Sequence, residues 1–286
     1  MKRLQSLFYP IVQQRILNSL YKKPFHWLPF QLRIRLQFER FIAAYVLEQC
    51  AAAPARTDAV PKTIHAIWVG GPMPLFRRHL VERWRELLPD YEIVVWDEKS
   101  LDIEGPDFSR AAYRQNDFRK LADYWRLALL KKHGGIYLDC DTLLLKRIPD
   151  EWLTLDLVLA KQIPLDTLYT IANSFIAAKK ENIIVSGLLE FIETRIDSGR
   201  VAVWTGPNLF TCLYYAMSNA HAFARTNTMI LPYGVAAAER KRAWSAGLSP
   251  SEIWDIRDES VCTPTQLTAA EELEYERQWE TRRRGS

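Results

Sequence analysis

Hydrophobic and polar positions recur with two different periods along the middle of the chain, and the switches between them outline its elements. Thr63 to Val69 is apolar and β-branched, which predicts a buried strand ended by Gly70-Gly71-Pro72. From Pro74 to Leu88 the spacing turns helical, with Phe76, Leu80, Trp84 and Leu87 inward and Pro89-Asp90 as the stop. Glu92 to Trp96 reads as a second strand. Phe118 to Lys132 holds no proline or glycine, Asn116 or Asp117 offers an N-cap, and His133-Gly134 closes the run, so a helix is expected there. Its apolar stripe is Leu121, Trp125, Ala128 and Leu129. Arg119, Asp123 and Arg126 fall at i, i+4 and i+7 on another face, as either a solvated ion-pair ladder or the lining of a pocket. A short strand around Ile136 follows, then strands over Leu155–Lys161 and Ser174–Ala178, a helix over Asn182–Ile196, a helix start at Thr205-Gly206-Pro207-Asn208 and a charged helix over Ala269–Arg284. This order predicts an α/β fold, a sheet with helices on both faces, whose ligands sit at the carboxyl ends of the strands.

Before the first strand the pattern differs. Leu4, Leu7, Phe8, Ile11, Ile16, Leu17 and Leu20 recur at helical spacing, Lys22 to Phe30 forms a basic and aromatic connector, and a second helical stretch runs from about Gln31 to Cys50. Residues 1–60 hold nine Lys or Arg against three acidic residues, whereas the whole chain of 286 residues is only +4. Basic residues interleaved with Phe and Trp suit an anionic membrane surface; equally, the segment could be a helical pair packed on the rest. No nucleic-acid-binding module is visible. A division into 1–60, 61–240 and a helical extension at 241–286 is expected. Hydrophobic content of 48% with 25% charged residues is that of an ordinary globular protein. Four scattered cysteines give no disulfide framework or zinc spacing, no apolar run reaches the length of a membrane span, and the cytosol, with contact at the cytoplasmic membrane face, is the expected location.

The candidate chemistry lies in Gly134-Gly135-Ile136-Tyr137-Leu138-Asp139-Cys140-Asp141. Alternation along a strand would project Asp139 and Asp141 together and Cys140 away from them. Two carboxylates in one small volume repel unless a cation lies between them, so the pair reads as half of a hard-cation site, completed by water and phosphate oxygens. The plain alternative is two solvated aspartates in a turn. There is no G-x-G-x-x-G and no G-x-x-x-x-G-K, so phosphate charge would have to be met by a metal rather than by a glycine-rich loop. Trp68, at the end of the first strand, is by itself as consistent with core as with a stacking platform.

Three blocks in order carry a resemblance: Pro61 to Gly71; Ala122-Asp123-Tyr124-Trp125-Arg126 with Gly134 to Asp141; and Trp204-Thr205-Gly206-Pro207. Together they resemble glycosyltransferase family 32, whose sugar-binding region contains a DXD motif. The family includes the yeast initiating mannosyltransferase, capsule-synthesis enzymes and, more distantly, the large clostridial glucosylating toxins. The resemblance covers roughly Pro61 to Thr211 and implies a GT-A fold over 61–240. It also implies transfer of a sugar from a nucleotide-sugar donor, UDP-linked, with retention of configuration. It assigns Trp68 to stacking on the base, Asp123 and Arg126 to the sugar or phosphate, Tyr137 and Asp139 to ribose or sugar, Asn173 to the donor sugar, and Asp141 with Asp139 to Mn2+ or Mg2+. Asn173 is equally readable as a strand-edge residue.

The resemblance thins near the C-terminus. Relatives carry a histidine, or a glutamate and a serine, before S-W, where this chain has Glu239-Arg240-Lys241-Arg242-Ala243-Trp244, either a substitute ligand set or a solvated basic turn. The expected acceptor is a hydroxyl of a glycan or lipid-linked saccharide in surface polysaccharide synthesis. The alternatives are a toxin-like transferase acting on protein, a silent nucleotide-sugar or glycan binder, and a metal-dependent phosphohydrolase.

Overall fold

The computed structural model describes residues 44, 45, 48, 58–162, 171–194, 205–219, 226–236, 241–243, 245, 248–254 and 256–284. Nearly all of the basic segment 1–60 therefore lies outside the described residues, as do Trp204, Glu239, Arg240 and Trp244.

Strand β1 (Thr63–Ile67) has only Thr63 less than fully buried, as its unbroken apolar run predicts. Helix α1 (Leu75–Leu87) buries Phe76, Leu80, Val81 and Trp84, each side chain contributing roughly 1.5–3 kcal/mol when fully withdrawn from water. Leu87 stays half-buried, and Leu88, just past the helix, fills the core position expected of it. Strand β2 (Glu92–Trp96) keeps its expected bounds. Helix α2 (Asp107–Arg114) falls in a stretch for which the pattern predicts no element. Helix α3 (Phe118–His133) is capped by Asp117, whose carboxylate accepts from the Lys120 amide, and runs into β3 (Gly135–Leu138). Then come β4 (Thr142–Leu144), a 3-10 turn at Asp150–Thr154, β5 (Leu157–Lys161) and β6 (Ile171–Ala178). The remaining elements are α4 (Ile183–Thr194), α5 (Pro207–Asn219), β7 (Thr228–Leu231), α6 (Pro250–Ile253), β8 (Cys262–Pro264) and α7 (Ala269–Arg284).

The main sheet has the order β2-β1-β3-β6-β5-β7. β1 runs parallel to β2 and β3, β6 runs antiparallel to β3 and β5, and β7 is parallel to β5. Period-two alternation sorts the core. Tyr137, Leu157, Leu159, Ile176 and Ala178 face the layer of α2 to α5, while Ile136, Leu138, Val158, Ala160, Phe175 and Ala177 face α1 and the 3-10 turn. Both faces are covered, and the α/β class is the one the element order predicts.

The antiparallel strand decides where the site falls. β6 meets β3 with Phe175 opposite Leu138, so the start of β6 arrives beside the end of β3, and the Asp139 amide donates to the Ser174 carbonyl at 3.1 Å. The second, two-stranded sheet pairs β4 with β8 and brings the C-terminal region to the same end, where the Thr265 amide donates to the Asp141 carbonyl at 2.8 Å.

Two expectations need correction. Asp139 and Asp141 do not lie on a strand; β3 ends at Leu138, and the pair occupies a tight turn closed by the Thr142 amide on the Asp139 carbonyl at 2.9 Å. Alternation nevertheless holds through the turn, with Cys140 buried and both aspartates partly open. The apolar stripe of α3 is also rotated from the expected one: Tyr124, Leu127 and Leu130 are buried with Leu121 and Leu129, and Arg126 is buried with them, while Trp125 and Ala128 are half-exposed. The helix is covered on more than one side, so a charge with enough partners can enter its buried face.

Candidate active site

A cleft of about 780 Å³ opens at the carboxyl ends of β1 and β3. Trp68, Asp123, Arg126, Tyr137, Asp139, Asp141 and Asn173, the residues the resemblance assigns to the donor and the cation, all line it, whereas Lys241 and Arg242 do not. Thr205 and Pro207 line it as well; Asn208 is exposed and is not among the lining residues.

Arg126 is the hub. It is 4% exposed, and its guanidinium is divided among several acceptors. Nε donates to the Ala122 carbonyl, Nη1 to the Asn173 carbonyl, Nη2 pairs with Asp123 at 3.0 Å, and Nη1 lies 3.3 Å from Asp139. Its flat face sits 4.4 Å from the Tyr137 ring, which alternation along β3 turns toward α3. Burial works against the charge, but Tyr137, Asp139 and Asp123 around it hold Arg126 above even its usual high pKa. Asp123 and Arg126 of the polar stripe of α3 are thus an internal brace between the helix, the acidic turn and β6, while Arg119 is exposed.

Asp123 is held in turn. Its Oδ1 accepts from Asn173 Nδ2 at 2.7 Å, and its carboxylate takes a hydrogen bond from the Thr205 side chain. Burial raises its pKa despite the Arg126 charge beside it. Gly206 makes this close approach possible: at φ +65° it would present a Cβ only 2.9 Å from Asp123 Oδ2. Tyr137 is 1% exposed and donates from its hydroxyl to Asp139 Oδ1 at 2.8 Å, so it meets the cleft through that carboxylate.

The acid pair fits a hard divalent cation. The contacts from Arg126 and Tyr137 fall on one oxygen of Asp139. Burial, and next the charge of Asp139, push the Asp141 carboxyl up to about 6, which is the signature of a second negative charge placed without enough compensation. A cation with oxygen preference would supply that compensation. Among the described residues no third His, Cys, Asp or Glu completes a protein-only cluster.

Trp68 is half-buried at the mouth, with its indole N–H donating to the Gly71 carbonyl at 2.9 Å. Arg77, which sequence reasoning did not single out, stands over this indole at 5.0 Å and lines the same cleft. Nothing in the local pattern distinguishes Arg77 from the neighbouring Arg78; only its contact with Glu272, far along the chain, does so.

Comparison with known proteins bears on this cleft. Residues 77–159 match the family described as glycosyltransferase sugar-binding region containing DXD motif. Over 161 residues the chain is 29% identical to "Subversion of eukaryotic traffic protein A" of Legionella pneumophila, covering 47% of this chain and 25% of that protein. Over 97 residues it is 32% identical to inositol phosphoceramide mannosyltransferase 3 of Schizosaccharomyces pombe, covering 30% and 25%. The chain thus spans about a quarter of the length of these curated relatives. Among solved structures, the PaToxG glycosyltransferase is similar with 19% identity and a TM-score of 0.48, over 67% of this chain and 84% of that one. The matched segment begins at Arg77 and contains Asp123, Arg126, Tyr137, Asp139 and Asp141. Residues 77–159 thus match the glycosyltransferase sugar-binding region containing a DXD motif, and most of the polar residues that line the cleft lie within that match.

Proposed function

We propose that this protein transfers a sugar from a UDP-linked donor to a hydroxyl acceptor, in a reaction that depends on a divalent cation, Mn2+ or Mg2+, and retains the anomeric configuration. The observation that carries this reading is the convergence in one cleft, at one end of the sheet, of an acid pair, an indole at the mouth and a braced carboxylate, Asp123. Asp141 and Asp139 would hold the cation, with water and phosphate oxygens as its other ligands. The cation, when bound, supplies positive charge to the diphosphate leaving group.

The chain's own residues supply the rest. Trp68 offers a flat apolar face for the base. Asp123, fixed by Arg126, Asn173 and Thr205, accepts from sugar hydroxyls at an oxygen turned to the cleft. Arg126 acts through Asp123 and Asp139, holding both carboxylates in place, since all three of its nitrogens already contact the protein. Tyr137 holds one oxygen of Asp139, which orients the other. This is electrostatic preorganisation around a charge that develops as the bond from the sugar to the phosphate breaks. The acceptor hydroxyl belongs to a glycan or lipid-linked saccharide, a reading supported by the relative named for mannosyl transfer to inositol phosphoceramide. A protein acceptor in a eukaryotic cell is the second reading, favoured by the relative named for subversion of eukaryotic traffic.

The test is a panel of nucleotide sugars, each with and without Mn2+, following release of nucleoside diphosphate by wild type and Asp141→Ala. One donor should turn over in wild type, and the variant should lose roughly a hundredfold or more, as when a main electrostatic group is removed from a site. Unchanged turnover in the variant removes the acid pair from the mechanism, and release of sugar phosphate instead of nucleoside diphosphate makes the protein a hydrolase.

A further inference from the structure

The C-terminal helix α7 is charged along its length, and its sequence shows no apolar stripe that would explain its docking. It nevertheless lies against α1, and polar contacts hold it there. Pro74, at the N-terminus of α1, caps nothing with its side chain, and the first turn of α1 holds no acidic residue. Glu276 of α7 supplies the missing cap, accepting from the Leu75 amide at 2.8 Å. Tyr275 packs edge-on against Phe76 and hydrogen-bonds His79 at 2.8 Å. Glu272, one turn earlier on the same face, is 9% exposed and takes both Nε and Nη2 of Arg77 on a single oxygen, each at 2.9 Å.

The result of these contacts is the placement of one guanidinium. Arg77 is held by Glu272, lies over the Trp68 indole and lines the same cleft as Asp139 and Asp141. Of five N–H donors two go to Glu272, so those of Nη1 are not used in that pair, on a side chain that lines the cleft. The other cations of the cleft are placed differently. Arg126 is buried with all three of its nitrogens in contact with the protein, Lys120 pairs with Asp117 at 3.1 Å, and Arg119 stands exposed on the first turn of α3.

We propose that Arg77 binds the phosphate groups of the nucleotide, between the base platform and the acid pair, and that Glu272 of α7 is its positioning residue, which makes the C-terminal helix part of the donor site. The inference rests on the nucleotide-sugar reading given above. A planar guanidinium held by one carboxylate presents a fixed edge to a phosphate, and lysine cannot do the same, because its single ammonium has no fork.

Calorimetric binding of UDP and of uridine to the full chain, both in the presence of Mn2+, tests this with Arg77→Ala, Arg77→Lys and Glu272→Gln. Arg77→Ala should weaken UDP by roughly ten- to a hundredfold, the range for one lost charge-assisted hydrogen bond, and leave uridine within about threefold. Arg77→Lys should recover only part of that loss, and Glu272→Gln should produce the same selective loss for UDP at smaller size. Wild-type affinity for UDP in all three variants overturns the assignment. So does an equal loss for UDP and uridine, which would mean that Arg77 only props Trp68. If wild type itself binds neither ligand while remaining folded by circular dichroism, the nucleotide reading has failed, and this inference with it.

Discussion

Two residues here carry charge states that their partners dictate. Arg126 is buried with carboxylates on two sides, and removing its charge leaves Asp123 in the interior without a counter-ion. Arg126→Met should therefore destabilise the fold by about 3–5 kcal/mol at neutral pH, measured by urea denaturation. The cost should shrink at pH 5, because burial already raises the Asp123 pKa and protonation then removes the uncompensated charge. An equal cost at both pH values would show that packing, not charge, was lost. His65, 2% exposed in β1, is held in one tautomer: Nε2 lies 2.9 Å from the Gly134 carbonyl and must donate, while Nδ1 accepts from Trp96 Nε1 at 3.1 Å. A second ring proton would face the indole N–H. Burial, with the neighbouring His133, holds the His65 pKa below its ordinary 6.5, and the bond to Gly134 only partly offsets this. Above pH 6.5 the ring is neutral in both folded and unfolded chains, so its contribution is complete; as pH falls below that, only the unfolded chain takes up the proton, and stability is lost. Thermal melting of wild type and His65→Gln between pH 7.5 and about 5 should differ in slope, the variant being flatter. Asp141, whose raised pKa favours the folded state at lower pH, contributes with the opposite sign in both proteins and so does not disturb the comparison.

At the scale of elements, the turn from α3 into β3 decides whether the acidic turn is delivered to the cleft. Gly134 and Gly135 both have positive φ, +68° and +100°, and a Cβ on Gly135 would stand 2.6 Å from the Thr63 carbonyl of the neighbouring strand. Gly135→Ala should lower stability by roughly 1–3 kcal/mol, the scale of a strained backbone residue. It should also reduce activity more than a surface substitution of equal cost, since β3 carries Asp139 at its end; activity tracking global stability alone would contradict this. The paired glycine was visible as a stop signal, β1, α1 and α3 by their apolar spacing and breakers, β2 as a short apolar run, and α7 as a charged run without proline or glycine. The cleft residues of β1, α3 and β3 were legible mainly through the family resemblance, helped by the expectation that ligands sit at the carboxyl ends of the strands, where Trp68 and the acid pair both lie. What the pattern could not give were facts set by distant partners. The burial of Arg126 depends on an antiparallel β6 arriving beside β3, and the importance of Arg77 depends on a helix nearly two hundred residues later. Helix α2 escaped because its eight residues are too few for a period to declare itself.

For the molecule as a whole, the cleft is assembled from segments that meet only in the folded chain: the end of β1, the start of α1, α3, the turn after β3, the start of β6 and the loop before α5, with α7 behind. A ligand that bridges them binds the folded state alone and must raise its stability. The charges determine which ligand can do so. A divalent cation by itself meets two carboxylates but also Arg77 and Arg126 close behind them, and a nucleoside diphosphate by itself meets the repulsion of the acid pair. Bound together each neutralises the other, so Mn2+ or UDP alone should shift the melting temperature little, while both together should shift it by about 5–10 °C at ligand near a hundred times Kd. EDTA should return the mixture to the unliganded value. Asp141→Asn supplies the sharper case: the carboxyl it removes is held in an unfavourable state by burial and by Asp139, so the unliganded variant should melt at or above wild type while losing the joint shift. A variant that melts well below wild type would mean that Asp141 serves the fold, and a full shift with UDP in the presence of EDTA would mean that the diphosphate needs no cation here.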